Sequence, residues 1–129
     1  METKKTKIRS FTDLTTWKEA HKLAISIYKL TEKFPKAERY GLIDQMKRSA
    51  VSVSSNIAEG FSRHSNLEKK HFYYQALGSL TELQNQLLLS KDIGYLNKNL
   101  FEQSASLTVS VSKLINSLIK FVKGTIPNT

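Results

Sequence analysis

The sequence predicts an all-α fold, an up-and-down antiparallel four-helix bundle. The only prolines among its 129 residues are Pro35 and Pro127, so nearly the whole chain is free to form helix. Apolar residues recur at helical spacing in four segments, and the connections between these segments are short. Short connections make successive helices antiparallel neighbours. We therefore predict a basic N-terminal tail over residues 1–11, a bundle over residues 12–124 and a C-terminal tail over residues 125–129.

The first two predicted helices meet at a proline. The first is capped by Thr12 or Asp13 and stops before Pro35, because the residue before a proline disfavours the α conformation. The second is predicted to begin near Lys36 or Ala37. The expected core positions are Leu14, Trp17, Ala20, Ala24, Ile27, Leu30 and Phe34 in the first helix, and Leu42, Ile43, Met46, Ala50, Val53, Ile57 and Phe61 in the second.

The last two predicted helices have recognisable ends. Ser65 opens the third, with Glu68 at the spacing of a capping box, and Gly94 ends it. The fourth begins around Asn97–Asn99 and ends at Gly124. The expected core positions are Leu67, Phe72, Ala76, Leu80, Leu83 and Leu87 in the third helix, and Leu100, Ser104, Leu107, Val111, Leu114, Leu118, Phe121 and Val122 in the fourth.

Composition narrows the class of protein. The chain has no cysteine, which excludes disulfides, thiol nucleophiles and cysteine-ligated metals. Its basic N-terminus is not followed by an apolar segment, and no window reaches the length and apolarity that a membrane span needs. We therefore expect a cytoplasmic protein with no membrane partner. The formal charge of +9 favours polyanionic partners through counterion release and electrostatic steering.

No catalytic centre is indicated by the residue pattern. A di-iron site in a four-helix bundle needs two Glu-x-x-His pairs, and the sequence has one, Glu68 with His71. Neither a Gly-x-Ser-x-Gly turn nor a glycine-rich phosphate loop is present. We expect no metal, no cofactor and no enzymatic activity.

The second predicted helix carries a polar motif beside its apolar face. Ser52, Asn56 and Glu59 lie close to one face, adjacent to core positions. A partly buried Asn needs hydrogen-bond partners, which serines of this helix or groups of the third helix could supply. Two interpretations stay open, a polar network that fixes helix register and a contact with a ligand or partner. The motif residues are Ser55, Asn56, Glu59, Gly60, Gly78, Ser79 and Glu82.

Basic residues occur in several helices. Lys113, Lys120 and Lys123 are spaced by seven and three, so they share one face of the fourth helix. Such a row is often the solvated flank of a core. In an oligomer, however, the row repeats around the symmetry axis, and the electrostatic fields of the subunits add together. The candidate nucleic-acid-binding residues are Lys47, Arg48, Arg63, Lys113, Lys120 and Lys123.

Three segments carry a family resemblance: Ser55–Arg63 (SNIAEGFSR), Ala76–Leu83 (ALGSLTEL) and Gly94–Leu96 (GYL). Together they resemble the four-helix-bundle proteins encoded in intervening sequences of bacterial 23S rRNA genes, also labelled the S23 ribosomal protein family. That family is similar to the accessory variability protein of diversity-generating retroelements. The resemblance runs from about Phe11 to Val122. It implies an up-down bundle that assembles into a homopentamer with a basic surface, and its retroelement relatives bind nucleic acid and a reverse transcriptase.

Two functions follow as hypotheses. The first is a non-enzymatic homo-oligomeric scaffold that binds RNA or DNA mainly through phosphates. The alternative is an adaptor that docks a partner enzyme, such as a reverse transcriptase, with no direct nucleic-acid role. Oligomerisation is also favoured by the run Leu87–Leu89, which holds more leucine than one core can use. The expected partners are further copies of the chain, RNA or DNA, and a protein partner.

Overall fold

The computed structural model describes residues 7–124, which are helical and contain no strand. The prediction of an all-α fold with four helices is therefore confirmed. The predicted C-terminal tail, Pro127 and residues 1–6 lie outside the described residues. The elements are a short 3-10 helix at Phe11–Asp13, α1 at Thr15–Thr31, a second 3-10 helix at Lys36–Glu38, α2 at Leu42–Ser62, α3 at Asn66–Asp92 and α4 at Lys98–Lys123.

Successive helices run antiparallel. Along both α2–α3 and α3–α4, residue numbers fall on one helix as they rise on its neighbour. Helix α1 contacts both α2 and α4, which closes the four helices into a bundle. The pairs that show this are Met46 with Ser90, Ser52 with Ser79 and Phe61 with Lys69 between α2 and α3, and Gln84 with Thr108 and Lys91 with Phe101 between α3 and α4.

The core matches the predicted positions best in α1 and α2. Met46, Val53 and Ile57 are fully buried on α2, and Ala20 and Ile27 are fully buried on α1. Leu23 of α1 is also fully buried, although it was not among the predicted core positions. Each of these helices has one clearly apolar face opposed by polar residues, so the helical period identifies the buried side directly. Burial of these side chains against one another is what makes the helices stable.

The predicted core positions of α3 and α4 are partly wrong. Tyr73 is buried at 2% exposure, whereas Leu67 is exposed. In α4 the buried positions include Ile115 and Ile119, and Phe121 is 70% exposed. Both helices carry apolar residues on more than one face, so the period alone could not select the face that packs inward.

The predicted N-cap of α1 is wrong: α1 begins at Thr15 after Leu14, which makes no side-chain cap bond, and Thr12 and Asp13 lie in the preceding 3-10 turn. Ser10 is the N-cap of the first 3-10 turn, and its Oγ accepts from the backbone N–H of Thr12 at 3.0 Å. Asp13 closes the capping box by accepting from the backbone N–H groups of Arg9 and Ser10, and these bonds lower the pKa of Asp13. Phe11, assigned to the tail, packs edge-on against a tryptophan of α1.

Helix α2 begins later than predicted. Residues Lys36 and Ala37 form a 3-10 turn instead, and α2 starts at Leu42. The cause is Glu38, whose Oε1 accepts from the backbone N–H of Leu42 at 3.2 Å and whose Oε2 accepts from the hydroxyl of Tyr95 at 2.7 Å. The carboxylate thus joins the α1–α2 connection to the α3–α4 connection. Its hydrogen bond is also the main cause that raises the pKa of Tyr95.

Helix α1 ends at Thr31, before the proline that was predicted to stop it. The Oγ1 atom of Thr31 is buried and donates to the carbonyl of Ile27 at 2.9 Å. Phe34 leaves the helix and packs its ring against Tyr95, with ring centroids 5.3 Å apart. The chain therefore turns toward the α3–α4 connection before the proline restricts it.

The other predicted helix ends are confirmed. Ser65 caps α3 through a side-chain hydrogen bond, and Asn97 caps α4 in the same way at 2.8 Å. Gly94 adopts φ of 88° just after α3, a conformation that glycine takes without strain. Gly124 is the C-cap of α4.

The prediction that no segment is long and apolar enough to span a membrane is wrong for α4, which within residues 7–124 has the necessary length and composition. Of its most apolar window, 28% is buried inside the bundle. The buried face, with Val111 and Ile115, packs in the core, while the exposed face carries serines and lysines. A single helix of this kind does not establish a span. Core packing accounts for only part of the apolarity of α4, whose exposed residues include Val109 and Phe121.

Helices α2 and α3 pack closely at Gly60. A Cβ built on Gly60 would lie 2.7 Å from Cε1 of Tyr73 and 3.0 Å from Cβ of Phe72. The Tyr73 ring is enclosed in the core and the Phe72 Cβ is tied to the backbone, so neither can move aside freely. Glycine is therefore required here by space rather than by backbone conformation.

We expect Gly60→Ala to lower the free energy of unfolding by about 1–3 kcal/mol, the usual range for overpacking. The matched control is Gly78→Ala on α3, where an added Cβ meets nothing within 4 Å. This control is expected to gain about 0.5–1 kcal/mol from helix propensity. Urea denaturation measures both, and equal shifts of the two variants would contradict the close approach.

Candidate nucleic-acid interface

A polar seam crosses the α2–α3 interface. The hydroxyl groups of Ser52 on α2 and Ser79 on α3 are 2.7 Å apart. The Nδ2 atom of Asn56 donates to the carbonyl of Ser52 at 2.9 Å and to its Oγ at 3.1 Å. We call these three residues the α2–α3 polar seam. The Ser52–Ser79 hydrogen bond joins the two helices, and a shift of either helix along its axis would break it.

The other predicted motif residues lie outside this seam. Ser55, Gly78 and Glu82 are exposed. Glu59 is also exposed, and its Oε2 pairs with Nη2 of Arg63 at 2.7 Å one helical turn on. The motif is therefore divided between a few residues that bond across the interface, Gly60 at the close approach and several that face outward. The seam has the hydrogen bonds that the register interpretation requires, and that interpretation stays a prediction.

The candidate basic residues do not form one patch. Lys47 and Arg48 lie near the start of α2, and Arg63 is its C-cap. Lys47 and Arg63 are sixteen positions apart, about 24 Å at 1.5 Å per residue. Because α4 is antiparallel to its neighbours, Lys120 lies at the same end of the bundle as Arg63. The predicted set is thus spread over both ends.

The three basic residues of α2 have intramolecular partners. Nε of Arg48 pairs with Oδ2 of Asp44 at 3.0 Å. Arg63, besides its ion pair with Glu59, holds its guanidinium 4.6 Å from the ring centroid of Phe72. Nζ of Lys47 lies 4.7 Å from the ring centroid of Tyr28. The two carboxylates offset part of the positive charge of α2, whereas the neutral rings of Tyr28 and Phe72 contact the cations without reducing their charge.

Helix α4 differs from α2 in its charges. Residues 103–129 form the longest stretch of the chain without Asp or Glu, and they include Lys113, Lys120 and Lys123. All three lysines are exposed. Within residues 7–124, neither Lys113 nor Lys120 makes an ion pair. The second half of α4 is therefore a source of positive charge that no acidic residue of its own helix offsets.

Lys69 is a basic residue whose charge is used in a contact within the fold that the sequence does not reveal. Its Nζ donates to the carbonyl of Phe61 at 2.6 Å, near the C-terminal end of α2. The ammonium also lies 5.2 Å from the centroid of the Phe61 ring, and burial lowers the pKa of Lys69. This lysine binds the last turn of α2. A capping role of this kind depends on tertiary contact and has no signal in the sequence.

The residues considered for a metal site have other contacts. The carboxylate of Glu68 accepts from Ser65 Oγ at 3.2 Å, and the ring of His71 lies 3.0 Å from the amide nitrogen of Gln75. In the part of the chain that the structure describes, no three His, Asp or Glu side chains are grouped so that they could hold a metal ion.

The fold and the seam define a class, the basic antiparallel four-helix bundles with a polar α2–α3 interface. Within that class, the model of the 23S rRNA-intervening sequence protein family matches residues 12–117, and the chain belongs to this family. This confirms the resemblance carried by segment Ser55–Arg63.

A solved structure has the same fold. It is the crystal structure of a protein of unknown function from the S23 ribosomal protein family of Bacteroides thetaiotaomicron, with a TM-score of 0.74 and 22% sequence identity. The match covers 82% of this chain and 99% of that one. None of the curated proteins matches this chain.

A double-mutant cycle tests the seam. Ser52→Ala and Ser79→Ala are each expected to lower the free energy of unfolding by about 1 kcal/mol, with a coupling of about 0.5–1 kcal/mol between them. Ser55→Ala is the control, because this serine is exposed on the same helix and should change stability by less than about 0.5 kcal/mol. Urea denaturation of the wild type, the two single variants, the double variant Ser52→Ala/Ser79→Ala and the control gives the coupling. Additive effects of the two substitutions would contradict an energetic coupling between the two hydroxyl groups.

Proposed function

We propose that the protein is a non-enzymatic, homo-oligomeric scaffold of the cytoplasm that binds RNA or DNA through backbone phosphates. The observation that carries this proposal is the charge of α4, whose second half holds exposed lysines and no carboxylate. Lys113 and Lys120, which make no ion pair within residues 7–124, keep their affinity for phosphate, whereas ion-paired arginines must first lose a partner. Lys113 and Lys120 are thus the strongest of the candidate phosphate contacts, and Arg48 and Arg63 are weaker ones.

Two exposed apolar strips support assembly. The first runs along the outer side of α1 and α2 and consists of His21, Ile25, Tyr28 and Val51. The second runs along α3 and α4 and consists of Leu88, Phe101, Ala105 and Val109. Exposed apolar surface of this kind is typical of protein contacts.

The two strips are different and lie on opposite sides of the bundle. A contact between the first strip of one subunit and the second strip of the next is heterologous, and repeated contacts of this kind give a ring if the rotation between neighbours closes and a filament if it does not. A homopentamer, which the family resemblance implies, is such a ring. The surface charge of each subunit then accumulates around one axis, which strengthens binding to a polyanion.

The assembly is tested by light scattering of two charge variants. Ile25→Asp and Val109→Asp should each dissociate the oligomer, because each buries a carboxylate in one strip. An equimolar mixture should form a species of two chains, since each variant keeps one intact strip that fits the other. Ser106→Asp, exposed on α4 outside both strips, is the control and should keep the wild-type mass. A monomeric wild type would contradict the proposal, and two variants that fail to pair would contradict the heterologous contact.

The nucleic-acid role is tested by the salt dependence of binding. The double variant Lys113→Gln/Lys120→Gln should weaken binding to all sequences alike and reduce the slope of log K against log salt by about 1–2. The control variant Lys18→Gln/Lys22→Gln removes the same charge from α1, where Lys22 pairs with Glu19. This control should reduce the slope of log K against log salt less than the Lys113→Gln/Lys120→Gln variant does.

A wild-type protein that binds neither RNA nor DNA at low salt would contradict the proposal. That outcome, together with an intact oligomer, would favour the alternative function, an adaptor for a partner enzyme such as a reverse transcriptase. One observation supports the alternative: Phe121 is 70% exposed and lies outside both apolar strips. An exposed aromatic residue of this kind is a frequent anchor in protein interfaces.

A further inference from the structure

An open groove lies between the end of α1 and the start of α2. Its volume is about 680 Å³, and its walls are formed by charged and aromatic side chains over a floor that includes Phe34 and Ile43. We call it the α1–α2 groove. The wall residues used below are Glu32, Lys36, Arg39, Tyr40 and Lys47.

Tyr40 is the central feature of this groove. Its side chain is 86% exposed, the highest value among the large hydrophobic residues that the structure describes. The guanidinium carbon of Arg39 lies 5.5 Å from the centroid of the Tyr40 ring. The fold of this connection depends on Glu38 and Phe34, which hold it against Tyr95, so packing does not require an aromatic residue at position 40.

The charges around the groove favour an anion. Lys36, Arg39 and Lys47 are basic, and Glu32 is the one carboxylate among the wall residues. Two nearby acidic groups are already bound, since Glu38 accepts from Tyr95 and Asp44 pairs with an arginine of α2. The groove therefore combines an exposed aromatic ring, which the Arg39 guanidinium also contacts, with an excess of cations.

An aromatic face beside cations is the arrangement that binds single-stranded nucleic acid. Bases stack on the ring, and neighbouring phosphates pair with the basic side chains. Duplex bases are already stacked and paired, so a duplex gains only the phosphate contacts. An acidic peptide would also use the cations, but it gains nothing from the Tyr40 ring.

We propose that the α1–α2 groove binds a nucleotide of single-stranded RNA or DNA, with the base stacked on Tyr40 and the flanking phosphates held by Lys36, Arg39 and Lys47. This inference rests on the proposed nucleic-acid function and adds a preference for single strands. It also names a site distinct from the lysines of α4, near the opposite end of the bundle from Lys120.

The test compares fluorescence anisotropy of a labelled single strand of about 12 nucleotides with that of a blunt duplex of the same length, at low salt. Tyr40→Ala should bind the single strand at least about fivefold more weakly and the duplex as wild type does. Tyr40→Phe should keep single-strand affinity, because it keeps the ring. The matched control is Tyr74→Ala, which removes an exposed tyrosine of α3 outside the groove.

Two charge variants test the phosphate contacts. Lys36→Gln should weaken binding to the single strand, and Glu32→Gln should strengthen it, because the substitution removes the carboxylate that repels phosphate. All variants alter exposed residues, and light scattering verifies that each keeps the wild-type mass.

The outcomes separate this inference from the proposed function. If Tyr40→Ala binds the single strand as tightly as the wild type does, the groove proposal is overturned and the proposed phosphate-binding scaffold is retained. Equal losses of single-strand affinity in Tyr40→Ala and Tyr74→Ala would also overturn the groove proposal. Absence of wild-type binding to either form would overturn the groove and the proposed function together.

Discussion

The packing of Tyr73 against the backbone of Gly60 sets the distance between α2 and α3, and much of the remaining structure depends on it. Because no Cβ intervenes, the helices approach closely enough for the hydroxyl groups of Ser52 and Ser79 to bond directly. The same approach brings the ammonium of Lys69 to the last turn of α2. Because Gly60 has no Cβ, a single interface holds the packing of Tyr73, the hydrogen bond between Ser52 and Ser79 and the cap of α2 by Lys69.

A second constraint acts at the other end of the bundle. Glu38 bonds to Tyr95, and these residues are 57 positions apart in the chain. With Phe34 packed on the same tyrosine, the α1–α2 and α3–α4 connections are held together. The bond to Glu38 favours the protonated hydroxyl in the folded protein, which is why the pKa of Tyr95 is raised. The close approach at Gly60 and the Glu38–Tyr95 bond lie near opposite ends of the bundle. Neither contact uses the outward faces of the helices.

The sequence predicts this fold well where one helical face is apolar and the opposite face is polar. In α2, serines and charged residues surround a single stripe, and Met46, Val53 and Ile57 are buried as expected. In α4, leucines and isoleucines occupy neighbouring faces, so Ile115 could not be distinguished from Leu114 by period. Glu38 could not be assigned at all, because its role depends on a partner in a distant connection.

The candidate site was harder to predict than the fold for the same reason. The sequence shows which residues are basic but not which are already paired. Arg48 and Arg63 are neutralised by carboxylates one turn away, a spacing that is visible in the sequence once a helix is assumed. The exposed ring of Tyr40 carries no periodic signal, and it is recognised only when the groove around it is seen.

The distribution of charge relates the fold to the proposed assembly. A ring that covers the α1–α2 and α3–α4 strips leaves two free sides on each subunit, the α1–α4 side and the α2–α3 side. The groove between α1 and α4 is lined by Lys29, Lys33 and Glu32, whereas the α2–α3 side exposes Glu59 and Glu82. A heterologous ring gives every subunit the same orientation, so any difference in charge between the two free sides repeats around the axis. In the proposed assembly the lysines of all subunits would therefore act together on a polyanion, and no single basic patch is needed within one subunit.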